Sequence, residues 1–188
     1  MSTVNRASTT FRALVVLAAG ALSPLTVSAQ DLCAELTQAV NHGKSGFTQI
    51  KGAPRSGSFG RAGRVFDSTF AITSVSDDCK VWADEDRPQQ LRLSCSRISR
   101  EPSCASEVRR TYERLAEPLR RCVASVFPKA HVRNDPPTTI GRQELESLRF
   151  VNVADSVSGY QLDADLTWSV ARLTSTTTCQ VGLHVEMR

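Results

Sequence analysis

The side chains best suited to proton transfer in this sequence are one histidine and two aspartates near its carboxyl end: His184, Asp163 and Asp165. A carboxylate beside an imidazole raises the histidine pKa, and the pair could then serve acid–base chemistry or hold a metal weakly. The alternative is a cross-strand charge pair on a solvated sheet. The choice between them depends on the strands that carry these residues.

Two alternating segments place the three residues on one face of an antiparallel sheet. Apolar and polar side chains alternate through residues 160–170 and again through residues 179–187, which predicts two strands with one dry and one wet face. The threonine-rich residues between them predict a hairpin. We expect a register with three cross-strand pairs: Trp168 with Cys179, Asp163 with His184, and Asp165 with Gly182.

The other two histidines have no evident partner. His42 ends the first predicted helix, where the helix dipole favours a cation, and His131 lies in a long segment of little pattern. The sequence contains no GxSxG, HExxH or SxxK motif. No catalytic constellation is therefore complete.

A glycine-rich basic segment suggests anion binding instead. Residues 52–64 (GAPRSGSFGRAGR) carry Arg55, Arg61 and Arg64 among glycines whose backbone amides could cradle an anion. The segment lacks the GxxxxGK[ST] pattern and a strand–turn–helix context. A mobile, basic surface loop is the alternative.

Trp82 is a candidate anchor for a protein partner. It falls on the face of its predicted strand opposite to Cys79 and Val81, whereas Trp168 falls on a dry face. An exposed tryptophan would suit an interface, and the alternative is core packing under a helix.

The elements that position these residues predict an α+β domain. Helices are expected at residues 31–42 and 104–127, the second with apolar residues on one stripe and Pro118 inside. Further strands are expected at residues 47–51, 65–73, 79–83, 89–97 and 147–153, while residues 129–146, with Pro136-Pro137, read as a loop. The order is helix, three or four strands, long helix, three strands. It predicts about six antiparallel strands packed by two helices.

Six cysteines predict three disulfides. A pairing of Cys79 with Cys95 in a hairpin also aligns the apolar residues of both strands. For the other four we expect Cys33–Cys122 between the helices and Cys104–Cys179 from the long helix to the last strand, one of three possible arrangements. Metal or redox chemistry is the alternative, but there is no CxxC motif.

Residues 1–29 predict a signal peptide, with Arg6 and Arg12 before a short apolar run and the small residues Val27-Ser28-Ala29 at its end. Residues 30–188 then form a single exported domain. The formal net charge of +4 falls to +2 without the two arginines, which argues against a role in coating nucleic acid. No later stretch reaches the length of apolar sequence that a membrane span needs.

The order of elements resembles that of type III secretion chaperones and similar small bacterial proteins. The resemblance implies a sheet packed by two helices. It lies in element order alone, without a residue motif, and so it assigns no residue a role.

Together these features predict a non-catalytic protein, without a cofactor, that is exported to a bacterial periplasm or secreted. Its expected partner is another protein in the envelope or outside the cell, as for an inhibitor, an immunity factor or an envelope accessory factor. The alternatives are a hydrolase that uses His184 with Asp163, and a small-anion binder that uses the 52–64 segment.

Overall fold

In a computed structural model, which describes residues 29–56, 63–156, 159–173 and 175–188, these residues form two α-helices and one eight-stranded antiparallel sheet. In chain order the elements are α1 (Ala29–Lys44), β1 (Lys51–Pro54), β2 (Arg64–Ser68), β3 (Cys79–Ala83), β4 (Leu91–Ser99), α2 (Cys104–Val126), β5 (His131–Ile140), β6 (Gln143–Asp155), β7 (Gln161–Arg172) and β8 (Thr177–Met187). The predicted α+β class is confirmed. The expected number of about six strands is wrong, because the described part of the chain forms eight.

The sheet order joins the two halves of the chain. The strands lie in the order β1-β2-β3-β4-β8-β7-β6-β5, so that β8, the last strand, pairs with β4 on one side and β7 on the other. The long alternating segments thus become the centre of the sheet. The two strands missing from the prediction, β1 and β5, lie at its outer edges.

Strand β5 corrects the prediction of a loop over residues 129–146. It pairs with β6 on one side only, and its register shifts between Asp135 and Thr138, around the two prolines. Because proline lacks an N–H group, it is tolerated at a sheet edge and at a bulge. The prolines therefore interrupt this edge strand without ending it.

The segment before β2 also differs from the prediction. Residues 47–50 form a turn, in which Phe47 adopts a positive φ of 55° and buries its side chain completely. Strand β1 starts at Lys51 and pairs with β2, so it occupies the beginning of the predicted 52–64 loop. Strand β2 ends at Ser68, and beyond it Ile72 makes an isolated bridge to Ser76.

Both helices pack on the apolar face of the sheet. Helix α2 ends within one residue of its prediction and contains Pro118, and α1 is longer than predicted at both ends. Their buried side chains lie at steps of three and four residues, as an amphipathic helix requires. The largest completely buried side chains of the core come from both helices, the turn segments and four strands: Phe47, Phe150, Leu32, Leu36, Ile72, Leu93, Leu115, Leu119, Leu148, Leu162, Leu166 and Leu183.

Three disulfides fasten these layers. Cys33–Cys122 joins the two helices, Cys104–Cys179 joins α2 to β8, and Cys79–Cys95 joins β3 to β4, with Cα separations of 5.4, 5.9 and 4.1 Å. The pairs match those named from the sequence. Each bond contributes roughly 2–4 kcal/mol to the stability of a typical domain.

The predicted signal peptide lies almost entirely outside the described residues, which begin at residue 29 within α1. Within the described ranges, neither helix combines the length and the apolar character that crossing a membrane requires.

Candidate functional site: the polar face of the sheet

The face of the sheet opposite to the helices carries the candidate residues. Because the helix α2 is bonded to Cys179, it lies on the face that Cys179 shares with Val181 and Leu183, and the alternate residues of β8 point the other way. We call this second surface, on strands β3, β4, β8, β7 and β6, the polar face. Its central side chains are Trp82, Arg92, Ser94, His184, Glu186, Asp163, Asp165, Thr167, Ser147 and Arg149.

The register of the last hairpin differs from the prediction by two residues. Three pairs show the shift: Val170 with Cys179, Asp165 with His184, and Asp163 with Glu186. A shift of two keeps every side chain on its predicted face, so alternation cannot detect it. The predicted register would need a two-residue turn at Leu173-Thr174, and such turns favour glycine and asparagine over a β-branched residue. In the structure Arg172 pairs with Thr177, which leaves a four-residue connection.

His184 is held between two hydroxyl groups. Its Nδ1 lies 2.9 Å from Ser94 Oγ and its Nε2 lies 3.2 Å from Thr167 Oγ1. Burial, together with the positive charge of Arg92, lowers the pKa of His184 to about 3. The ring is therefore neutral at pH 7, where one of its nitrogens donates a hydrogen bond and the other accepts one.

This setting does not suit His184 to general base catalysis. A general base works best when its pKa lies near the operating pH, and burial has moved this histidine far below that range. Asp165 is its cross-strand neighbour, but no hydrogen bond joins the two side chains. The expected rise in the histidine pKa is wrong, because burial and Arg92 outweigh the neighbouring carboxylate.

Asp163 and Asp165 form ion pairs with arginines, and Asp163 also accepts a hydrogen bond from a backbone amide. Arg149 Nε donates to Asp165 Oδ1 over 2.7 Å, and Arg188 lies 3.5 Å from Asp163 and 3.6 Å from Asp165. Asp163 Oδ1 also accepts the backbone N–H of Asn152 at 3.0 Å. Burial raises the pKa of the Asp165 carboxyl, although the Arg149 hydrogen bond favours its charged form.

The contact between Asn152 and Asp163 fixes a bend in β6. Asn152 has a positive φ of 61°, which asparagine tolerates better than most residues, and the β6–β7 register shifts between Phe150 and Ala154. Sequence analysis missed this role of Asp163 and the partners Arg149 and Arg188. Alternation places Arg149 on the polar face, but only the three-dimensional pairing brings it to Asp165.

A pocket lies at one end of the polar face, beside Trp82. The Arg92 guanidinium stacks over the Trp82 ring, 5.8 Å from its centroid, and the two residues are directly paired across β3 and β4. The pocket has a volume of about 110 Å³ and is lined by Trp82, Asp84, Gln90, Leu91, Arg92, Glu186 and Met187. The Nε atom of Arg92 is buried and has no hydrogen-bond partner among the described residues.

Trp82 is half-buried, so it is neither a core residue under a helix nor a fully exposed anchor. Its position on the polar face leaves it beside the pocket, in contact with Arg92.

Of the three arginines in the predicted anion loop, the structure describes Arg55 and Arg64. Arg55 pairs with Asp67 and lies 3.7 Å from Asp78, so carboxylates already neutralise its charge. Arg64 is an exposed residue at the start of β2, and Arg61 lies outside the described residues. Anion binding by this segment therefore stays a prediction.

The remaining histidines lie outside the strands that form the polar face. His42 packs against the ring of Phe70 at 5.1 Å, and His131 is the exposed first residue of β5. Among the described residues, no group of three or more histidine, cysteine, aspartate and glutamate side chains is arranged to hold a metal ion.

Comparison with known proteins identifies no relative: no family model matches the chain, and neither curated proteins nor solved structures match it. The likeness in element order to type III secretion chaperones therefore stays a prediction. A function for this chain has to be argued from its own geometry.

Proposed function

We propose that this protein is an exported, non-catalytic domain that binds another protein through the Trp82–Arg92 end of its polar face. The observation that carries the proposal is the buried Nε of Arg92, which has no acceptor among the described residues, in a side chain that lines a pocket. A buried donor without an acceptor costs roughly 1–3 kcal/mol, so an acceptor supplied by a partner would recover this cost.

The guanidinium of Arg92 favours a carboxylate as that acceptor, against the negative charges of Asp84 and Glu186 in the same lining. Of the two acidic residues in the lining, Asp84 accepts the backbone N–H groups of Asp86 and Arg87, and Glu186 accepts a hydrogen bond from Arg188 at 2.8 Å. In the part of the chain that the structure describes, the Nε of Arg92 has no such partner. Because a guanidinium binds a carboxylate through strong, charge-assisted hydrogen bonds, we infer that an aspartate, a glutamate or a carboxyl terminus of the partner enters the pocket.

The residue types and the rigidity of this region also suit an interface. Tryptophan and arginine are enriched among residues that contribute most to protein–protein binding. Trp82 and Arg92 lie on the two strands that the Cys79–Cys95 bond joins, each three residues from the cysteine of its own strand. A site held in place before binding loses less conformational entropy when the partner arrives.

The environment of His184 argues for binding rather than hydrolysis. Its lowered pKa makes it a weak base at neutral pH, and the carboxylates of the polar face are engaged by arginines. Three disulfides fit an oxidising compartment, which supports the proposed export to a periplasm or to the outside of the cell.

The proposal is tested by quantitative capture from envelope extracts with immobilised domain, its Arg92→Gln variant and its Arg87→Gln variant. Arg87 is an exposed arginine in the neighbouring turn, so its loss changes the net charge equally without touching the pocket lining. We expect the wild type and Arg87→Gln to retain the same stoichiometric partner and Arg92→Gln to lose it. Recovery of no partner, or equal recovery by all three, would contradict the proposal.

A further inference from the structure

A second groove, which shares no lining residue with the Trp82–Arg92 pocket, lies between β4 and α2. It has a volume of about 360 Å³ and is lined by Arg97, Glu107, Arg110, Thr111 and Arg114. Arg110 and Arg114 are one helical turn apart on α2, and Arg97 comes from the neighbouring strand. Three guanidinium groups therefore border one cavity with a single carboxylate.

The arginines of this groove differ from the others on the same helix. Three α2 arginines have side-chain partners: Arg109 with Glu144, Arg120 with Asn134, and Arg121 with Glu117. Arg97 and Arg114 form no ion pair or hydrogen bond with any described residue, and Arg110 donates only to the backbone carbonyl of Ser106. Glu107 is the one carboxylate in this lining, so the described residues leave the groove with an excess of positive charge.

A bound external anion would reduce the repulsion within this group of charges. Like charges four residues apart on a helix repel each other, and Arg110 and Arg114 stand in that relation. A tetrahedral oxyanion can accept hydrogen bonds from several guanidinium groups at once, and Thr111 adds a hydroxyl donor.

We propose that the groove formed by Arg97, Arg110, Thr111 and Arg114 binds a phosphate-type oxyanion, either free or as the headgroup of a lipid. Glu107 at the same groove opposes this binding through its negative charge. The site is independent of the proposed protein interface, since it shares no lining residue with the Trp82–Arg92 pocket.

The first experiment titrates the purified disulfide-bonded domain with inorganic phosphate at constant ionic strength and follows the arginine side-chain N–H signals by NMR. We expect saturable shifts confined to Arg97, Arg110 and Arg114. The variants Arg97→Gln and Arg114→Gln should each weaken binding by about threefold to tenfold, as expected for an exposed charge-assisted contact.

Two further variants separate a site from general charge. Arg121→Gln removes an exposed arginine of the same helix that is outside the groove, and we expect no change in phosphate affinity. Glu107→Gln removes the opposing carboxylate, and we expect tighter binding. An equal loss in Arg121→Gln and Arg114→Gln, or no gain in Glu107→Gln, would overturn the proposal.

The second experiment identifies the source of the phosphate group. It measures co-sedimentation with phosphatidylcholine vesicles that contain or lack phosphatidylglycerol. Binding that needs both phosphatidylglycerol and Arg114 assigns the site to a lipid headgroup, and saturation by inorganic phosphate without vesicle binding assigns it to a free phosphate. If neither phosphate binding nor vesicle binding depends on Arg114, the proposal is wrong. As a control, Arg92→Gln should change neither measurement.

Discussion

Two arginines of the polar face, Arg149 in β6 and Arg92 in β4, differ in what their guanidinium groups contact. Arg149 donates to the buried Asp165 over 2.7 Å, whereas the buried Nε of Arg92 has no acceptor among the described residues. The Arg149 end of the face is therefore complete within the domain. The Arg92 end stacks on Trp82 at a pocket and still has an unfilled donor, which is why we assign binding to that end.

The largest expected effect on stability comes from the Cys79–Cys95 disulfide, which joins the two strands that carry Trp82 and Arg92. Replacing Cys79 and Cys95 together by alanine should lower the free energy of unfolding by about 3 kcal/mol, because the bond closes a loop with a sequence separation of 16 residues. Urea denaturation measures this loss. If the bond also positions Trp82 and Arg92, capture of the partner should weaken even at temperatures where the variant is fully folded; unaffected capture would show that the pocket does not need the disulfide.

Removing the Asp165–Arg149 ion pair should lower the free energy of unfolding by nearly as much. Asp165→Ala leaves Arg149 without its main acceptor, and we expect a loss of about 2–3 kcal/mol, below the range for fully buried pairs because Arg149 and Arg188 retain some access to water. Glu117→Ala serves as the control, since it breaks an exposed ion pair with Arg121 and should cost less than about 0.5 kcal/mol. Similar losses in the two variants would show that Asp165 is not a structural partner.

The central histidine, between the two ends, predicts a defined pH dependence. Its pKa is about 3 in the folded state and 6.5 without the protein environment, so below pH 6.5 the unfolded chain binds a proton that the folded domain does not. The free energy of unfolding should therefore fall by roughly 1.4 kcal/mol per pH unit as the pH drops below 6.5.

His184→Gln isolates this effect from the carboxylates, including Asp165, whose raised pKa acts in the opposite direction. The difference between wild type and variant, measured by urea denaturation from pH 7.5 to 4.5, should shrink steadily below pH 6.5. A constant difference would mean that His184 titrates normally in the folded state.

The smallest effect on stability should come from a substitution at the Arg92 end of the polar face. Arg92→Gln removes no hydrogen bond of Nε and loses mainly its stacking on Trp82, so we expect a change of less than about 1 kcal/mol. Thermal unfolding checks this value. A loss as large as that of Asp165→Ala would show that Arg92 is a structural residue and would remove the contrast between the two ends.

Sequence patterns predicted the local features that alternate or repeat. The long strands β7 and β8, both helices and the sheet face that carries Asp163, Asp165 and His184 follow from steps of two, three or four residues. The pairing of Cys79 with Cys95 could be named because one register aligned two sulfurs and two apolar faces.

The features that could not be predicted from the sequence depend on contacts between distant parts of the chain. Strand β5 looked like a loop because Pro136-Pro137 is compatible with a strand only at a sheet edge. The partners of Asp165 and the buried state of Arg92 arise from the packing of β4, β6 and β8, which no local pattern records. Alternation places Arg92 and Arg149 on the same predicted face, but it does not give the burial or the partners of either side chain.

The central claim is that the Arg92 end of the polar face contacts a protein partner. The most direct measurement places a photoreactive benzophenone side chain at position 90, where Gln90 lines the pocket, and separately at position 140, where Ile140 is exposed on the edge strand. Irradiation of the protein in its own host should give one adduct of discrete mass from position 90, which Arg92→Gln abolishes, and none from position 140. No adduct at position 90, or an adduct there that persists in Arg92→Gln, would contradict the account.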